Sequence, residues 1–164
     1  MREIKKFIWL IPLIGGVLSL FGLLIPTWYS PPVWVEYWWF IGLIHHVTGG
    51  DTIAFGPLET SIPSLIAFVL IALSSVIIIL NSLFKSREKT LWCKTEKLWI
   101  YMAILEIITA IFYIISVQIG FFINTSIVFW DLYLIQFGLI IPFIGAGLTL
   151  LGAILEIKLK RDTK

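Results

Sequence analysis

The chain has 164 residues, of which 59% are hydrophobic and only 13% are charged. A soluble domain usually carries about 25% charged residues, so lipid must cover part of this surface. The composition therefore excludes a soluble globular enzyme, a disordered chain and a nucleic-acid-binding module. The net charge of +2 is less informative than the positions of the charges along the chain.

Four segments are apolar and long enough to cross a hydrocarbon core about 30 Å thick, which takes about 20 helical residues. They cover approximately residues 7–28, 62–84, 98–122 and 133–157, and none contains Lys or Arg. The short alternating segments typical of membrane β-strands are absent. The sequence therefore predicts one all-α transmembrane domain over residues 1–164, with outer loops at 29–61 and 123–132 and a cytoplasmic loop at 85–97.

The positions of Lys and Arg predict the orientation, because cytoplasmic loops carry an excess of basic residues. All twelve fall in the N-terminal tail, in the loop at 85–97 or in the C-terminal tail, and the other two loops carry only acidic charges. We expect a multi-pass protein of the cell membrane with both termini in the cytoplasm. Binding of anionic lipid headgroups is an alternative use of the basic side, although topology alone explains it.

The first and fourth predicted helices each carry a stripe of small residues at spacings of three and four, which keeps a stripe on one helix face. The stripes include Gly15, Ser19 and Gly22 in the first helix, and Gly138, Gly145 and Gly152 in the fourth. Small residues let helices approach closely in lipid. We expect the stripes to pack together in a left-handed, up-down-up-down four-helix bundle, in which the first and last helices are neighbours. The alternative is that one stripe faces a second copy or a partner subunit.

Glu106 is the one ionisable residue well inside a predicted span. Acids within the membrane are candidates for proton or ion pathways by default. The alternative is a structural carboxyl group hydrogen-bonded to the second helix, where Ser74 and Ser75 lie at comparable depth. We favour the structural role, because an ion pathway would need further such groups along the membrane.

The sequence offers few residues for a metal site or for thiol chemistry. Cys93 is the single cysteine, so an intramolecular disulfide is impossible. His45 and His46 are adjacent and would point to opposite faces of a strand, and no metal-ligand spacing surrounds them. We expect no enzyme, no catalytic or metal site and no cofactor.

The first outer loop is longer than a simple connection and is apolar. Residues 33–44 are rich in β-branched and aromatic types, a turn signal follows at 48–51, and a second short run covers 52–55. We predict a small extracellular β-hairpin or sheet that caps the bundle and packs on the helices or meets a partner. Aromatic anchors are expected at the membrane interfaces, with Trp28, Tyr29, Trp130 and Tyr133 outside and Trp9, Trp92, Trp99 and Tyr101 inside.

Three short motifs, together with the order of the segments, resemble the claudin-like superfamily of claudins, peripheral myelin protein and calcium-channel γ subunits. Pro26-Thr27-Trp28 is similar to the end of the first claudin helix. Trp39-Phe40-Ile41-Gly42-Leu43 is similar to the tryptophan-containing signature of the first outer loop, and Gln136-Phe137-Gly138 to the start of the fourth helix. The chain departs from the family at Ile44, where the second signature tryptophan would stand, and it lacks both loop cysteines.

The resemblance implies a non-enzymatic role in cell contact or adhesion, or as a membrane-scaffold or channel-accessory protein. The bilayer would surround the helices, and a protein partner or a second copy, but no nucleic acid, would bind the outer loop. The candidate contact residues are Trp34, Trp38, Trp39, Gly42 and Leu43. The alternative function is a small transporter or an integral subunit of a larger membrane complex that docks through the small-residue stripes.

Overall fold

A computed structural model describes residues 7–30, 35–47, 52–89, 94–127 and 129–162. The helices in these ranges are α1 (Leu10–Gly22), α2 (Leu58–Ser86), α3 (Thr95–Thr125) and α4 (Phe137–Arg161). The strands are β1 (Trp28–Ser30), β2 (Glu36–Trp38), β3 (Leu43–His46), β4 (Thr52–Phe55) and β5 (Leu134–Ile135), and a 3-10 turn covers Phe129–Asp131. The predicted combination of apolar helices and a small antiparallel sheet is confirmed.

Three of the four helices, α2, α3 and α4, are long and apolar enough to cross a membrane, which indicates a multi-pass membrane protein. Helix α1 has only 13 residues, or about 20 Å of helix. It continues to Ile25 through tighter turns, in which Leu23 and Leu24 donate to the carbonyls three residues before them.

The prediction that the first helix reaches residue 28 is wrong. Pro26 disfavours helical backbone at the residue before it, and Trp28 already belongs to β1. The fourth helix likewise starts at Phe137 and not at residue 133, because Leu134 and Ile135 pair with β1. Helices α2 and α3 are longer than predicted at both ends, and α4 continues to Arg161.

The helices pack in neighbouring pairs, α1 on α2 and α4, and α3 on α2 and α4. The stripes of α1 and α4 lie against each other and run in opposite directions. A Cβ added to Gly15 would meet the Gly145 backbone, and one added to Gly152 would meet Pro12 at 2.5 Å. The small residues therefore bring the two backbones together, as close helix packing in lipid requires.

The strands form one antiparallel sheet in the order β4-β3-β2-β1-β5, which is larger than the predicted hairpin. The apolar run at 33–44 is divided by a turn in which Gly42 has a φ of +83°, a conformation that favours glycine. A Cβ at Gly42 would also lie 3.0 Å from the Ser61 backbone. The second run forms β4 as predicted, whereas the turn predicted at 48–51 lies outside the described residues.

The main hydrophobic core lies between the sheet and the helices. It consists of Leu23, Trp28, Trp38, Phe40, Ile44, Ala67, Ile71, Tyr113, Val117, Phe129, Tyr133 and Leu139. Trp28 and Tyr133 therefore belong to this core and are not membrane anchors, and Trp99 is fully buried near the other end of the helices. These three anchor predictions are wrong because the rings find packing partners from distant parts of the chain.

Candidate functional site

One face of the sheet points away from the core. Side chains alternate between the faces of a strand, and the register places Leu134, Tyr29, Tyr37, His45 and Ile53 in one row across all five strands. Leu134 is 54% exposed and Ile53 is 69% exposed, and the residues between them are half-buried. The row is therefore accessible along its whole length.

A second row lies next to the first one. Leu43 pairs with Phe55, and the backbone N–H of Trp39 donates to the carbonyl of Leu43 at 3.1 Å. The ring centroids of Trp39 and His45 are 6.4 Å apart, so the rows are in contact. We call both rows together the outward face; it consists of Tyr29, Tyr37, Trp39, Leu43, His45, Ile53, Phe55 and Leu134. Its described residues include no Asp, Glu, Lys or Arg and are mostly aromatic or aliphatic.

The candidate contact residues are divided between the two faces. Trp39 and Leu43 lie on the outward face, half-buried, whereas Trp38 is 3% exposed and Gly42 is buried. The prediction that Trp38 and Gly42 offer contact surface is therefore wrong. Trp38 packs edge-on against Phe129 and Tyr133. Trp34 lies outside the described residues.

A carboxylate clamp at Glu36 joins three parts of the sheet region. The Tyr133 hydroxyl donates to Glu36 Oε2 at 2.6 Å, and His46 Nδ1 lies 2.7 Å from Glu36 Oε1. Burial, and then the hydrogen bond to Glu36 and its negative charge, raise the pKa of the Tyr133 phenol above its usual range. Tyr133 therefore stays protonated as a donor. No pattern in the sequence indicates this clamp, because Tyr133 lies 97 residues after Glu36.

Glu106 is fully buried at the junction of three helices. Ser75 Oγ donates to Glu106 Oε1 at 2.6 Å, Ser74 Oγ to the same oxygen at 3.3 Å, and Ser19 Oγ to Oε2 at 2.9 Å. The predicted grouping of Glu106 with Ser74 and Ser75 is thus present in the structure. Ser19, which belongs to the predicted packing stripe of α1, is a third donor. Both carboxyl oxygens are occupied by hydroxyl donors that tie α1 and α2 to α3.

A second polar junction lies at Tyr113 of α3, beneath the sheet. The Tyr113 hydroxyl is 2.7 Å from Thr27 Oγ1 and accepts from Trp28 Nε1 at 3.1 Å. Thr27 Oγ1 also donates to the Trp38 carbonyl at 2.9 Å. These contacts anchor β1 and β2 to α3, and sequence reasoning missed them because a tyrosine in an apolar span resembles any other aromatic residue.

An ion-pair network lies at the end of the helices that carries the basic residues. Lys85 of α2 is 2.7 Å from Glu156 of α4, and Lys160 is 2.7 Å from Glu96 of α3 and 3.4 Å from Glu156. In the sequence these lysines indicate only the orientation in the membrane. In the structure they also connect three helices.

Among the residues that the structure describes, no group of three or more His, Cys, Asp and Glu side chains could hold a metal ion. The described part of the chain thus offers the outward face and the Glu106 cluster as its main candidate sites. Comparison with known proteins assigns no family, since no protein-family model and no curated protein matches the chain.

Proposed function

We propose that this chain is a non-enzymatic four-helix membrane protein that binds a protein partner through the outward face of its sheet, as a scaffold or a channel-accessory subunit. The observation that carries the proposal is an accessible sheet face whose described residues are mostly aromatic or aliphatic and include no Asp, Glu, Lys or Arg, while the other face packs on the helices. Exposed apolar patches mark interaction sites, and aromatic residues are enriched at protein interfaces.

The proposal includes a cell-membrane location with the sheet outside and both termini in the cytoplasm. The support is the position of Lys85, Lys160 and Arg161, at the ends of α2 and α4 opposite to the sheet. Basic residues favour the cytoplasmic side. It also includes a left-handed bundle, which the spacing of the stripes on α1 and α4 favours.

The resemblance to the claudin-like superfamily supports this function as a further part of the proposal. Gly42 stands in the motif of the first outer loop. Its positive φ and its close approach to the Ser61 backbone explain why glycine occupies this position. The Glu36 clamp links β2, β3 and Tyr133 by hydrogen bonds in a chain that lacks the family's loop cysteines.

Photo-crosslinking from single positions tests the proposal. A benzophenone amino acid replaces Tyr37 on the outward face, and in a matched control it replaces Ile108, a 58% exposed residue of α3 far from the sheet. In native membranes we expect a discrete crosslinked protein from Tyr37 and not from Ile108. Equal patterns from the two positions, or no protein adduct from Tyr37, would contradict the proposal.

The same crosslink separates a scaffold or accessory role from adhesion. Cells that carry the photoreactive variant are mixed with cells whose surface proteins bear a different tag. A partner in the same membrane yields an adduct without the second tag, whereas adhesion yields an adduct that carries it. The accessory role predicts the untagged adduct.

A transport function is the second candidate, and Glu106 is the observation that favours it. The buried carboxyl group accepts hydrogen bonds from hydroxyls of two other helices. The same hydrogen bonds also hold the three helices together. Flux in proteoliposomes that is lost in Glu106→Gln, in a protein that remains folded, would favour transport. Our first proposal predicts no flux that depends on Glu106.

A further inference from the structure

The position of a residue along α3 indicates its depth in the membrane. Its apolar part begins at Leu98, directly after Lys97, and a core about 30 Å thick takes about 20 residues. This places the outer boundary of the hydrocarbon near Gln118. Tyr113 lies about 22 Å above Leu98 along the helix, and any tilt of α3 brings it closer to the middle of the core. Tyr113 is therefore inside the hydrocarbon.

The lower end of the sheet reaches the depth of Tyr113. Thr27 and Trp28 contact the Tyr113 hydroxyl at 2.7 Å and 3.1 Å, and the ring centroid of Phe40 is 4.4 Å from that of Tyr113. Phe40 belongs to the turn between β2 and β3. The sheet thus begins beside the helices, below the outer boundary of the hydrocarbon, and does not stand clear of them.

The sheet takes the place of the missing last turns of α1. Trp39 Nε1 donates to the carbonyl of Leu24 at 3.3 Å, directly above the end of the helix. Phe21 and Leu24 are 60% and 72% exposed, so they belong to the apolar surface that α1 turns away from the other helices. That surface continues through Trp39 into the outward face.

The outward face is also continuous with the apolar surfaces of two other helices. Beyond Phe55, which is 66% exposed, follow Leu58 at 71% and Ile62 at 54% on α2. At the other edge, Leu134 at 54% leads to Phe137 at 70% on α4. The apolar exposed surfaces of α1, α2 and α4 therefore all run into the same side of the sheet.

We infer that the outer leaflet of the membrane covers the outward face, with the row of Trp39, Leu43 and Phe55 at the hydrocarbon edge and the row of Tyr29 and Tyr37 in the headgroup layer. Trp and Tyr prefer this layer, because their rings are apolar with one polar atom. The continuity with the helix surfaces, together with the absence of Asp, Glu, Lys and Arg from the described residues of the face, favours lipid as the occupant. This inference goes beyond the proposed function, because it concerns the face in the protein without a partner; a partner would reach the face within the outer leaflet and displace lipid from it.

Spin-label accessibility tests this placement. In a Cys93→Ser background, Phe55→Cys and Ile53→Cys carry a nitroxide label in full-length protein, reconstituted at a low protein-to-lipid ratio in phosphatidylcholine vesicles. Collision rates with oxygen, which concentrates in lipid, and with a water-soluble nickel chelate are then compared. Leu73→Cys, at a 55% exposed position of α2, serves as the lipid control, and Asp162→Cys, at an exposed position, serves as the water control.

We expect the ratio of oxygen to nickel collisions at Phe55→Cys to lie closer to the Leu73→Cys value than to the Asp162→Cys value. Ile53→Cys should have a lower ratio than Phe55→Cys. Ratios at both positions equal to that of Asp162→Cys would place the face in water and overturn the inference. Exclusion of both reagents would place the face against protein and would overturn it as well. The crosslink from Tyr37 is a separate readout, so a failure of one proposal is distinguishable from a failure of the other.

Discussion

Ser19 and Glu106 show how single polar residues organise the apolar part of the protein. A buried polar group without a partner is costly, and Glu106 meets hydroxyls from α1 and α2 at both of its oxygens. Ser19 also lies where a Cβ on Gly145 would be, so the same small residue permits the approach of α4 and donates to Glu106. This double role explains why a stripe of small residues contains a serine at this position.

The Glu106 cluster predicts different results for two substitutions. Glu106→Gln keeps one acceptor oxygen and the same shape, so the free energy of unfolding should fall by less than about 1 kcal/mol. Glu106→Ala leaves the hydroxyls of Ser19 and Ser75 without their acceptor and opens a cavity, with an expected loss of about 3 kcal/mol. Unfolding in detergent measures both. Equal losses for the two variants would contradict the hydrogen-bonding role of Glu106.

Tyr133 predicts a dependence of stability on pH. The pKa of the Tyr133 phenol is raised in the folded protein. The contribution of this phenol to the free energy of unfolding is therefore complete below the unfolded pKa of about 10. It is lost as the pH rises from there towards the folded pKa. Tyr133→Phe should cost about 2 kcal/mol at pH 8, and this cost should shrink by about 1.4 kcal/mol per pH unit above pH 10.

The control for this prediction is Tyr101→Phe, since Tyr101 is 59% exposed on α3. At pH 8 its free energy of unfolding should lie within about 0.5 kcal/mol of the wild-type value, as for other exposed surface positions. If the cost of Tyr133→Phe stayed constant from about pH 9 to pH 11, the linkage argument would be wrong.

At the scale of elements, the contact between α1 and α4 depends on the position of each glycine. A Cβ on Gly145 would meet Ser19 and the Gly15 carbonyl, whereas nothing lies within 4 Å of a Cβ on Gly147. The two positions are close together in the same helix and differ only in what they face. Alanine substitutions at the two positions therefore separate the free-energy cost of close helix packing from the intrinsic preference of helices for alanine.

Gly145→Ala and Gly147→Ala form a matched pair of substitutions. Gly145→Ala should lower the free energy of unfolding by about 2 kcal/mol or more, because the backbone of α1 cannot yield without moving the helix. Gly147→Ala should raise it by up to about 1 kcal/mol through helix propensity. Thermal unfolding in detergent measures the difference, and equal effects would contradict the packing described here.

The sequence predicted those elements whose signal is local. The spans of α2 and α3 and the strand β4 each follow from a continuous run of suitable residues. The strand β5 has two residues, too few for a pattern, and it forms because Leu134 and Ile135 find a partner in β1. The turn at Gly42 was hidden inside an apolar run, because its conformation depends on packing against Ser61.

The same limit applies to the candidate site. Trp38 and Trp39 are adjacent and chemically identical, so alternation showed that they face opposite sides but not which side is covered. The core around Phe129 and Tyr133 decides this, and it comes from a segment distant in sequence. Glu106 was predictable because one acid in a long apolar span stands out, whereas the clamp at Glu36 required the folded sheet.

At the scale of the whole molecule, the basic residues of the described ranges and the sheet lie at opposite ends of the helices. Lys85, Glu96, Glu156 and Lys160 form ion pairs at one end, and the sheet with its uncharged outward face lies at the other. If the positive end is cytoplasmic, the sheet lies at the outer side of the membrane and any partner meets it on that side. The orientation is thus the central claim on which the proposed function depends.

Labelling with a membrane-impermeant maleimide tests this orientation most directly. In a Cys93→Ser background, Asp131→Cys and Asp162→Cys place a single thiol at exposed positions near the sheet and at the end of α4, respectively. In intact cells Asp131→Cys should be labelled and Asp162→Cys should not, and both should react once the cells are permeabilised. Labelling of Asp162→Cys but not Asp131→Cys in intact cells would contradict the account, as would labelling of both.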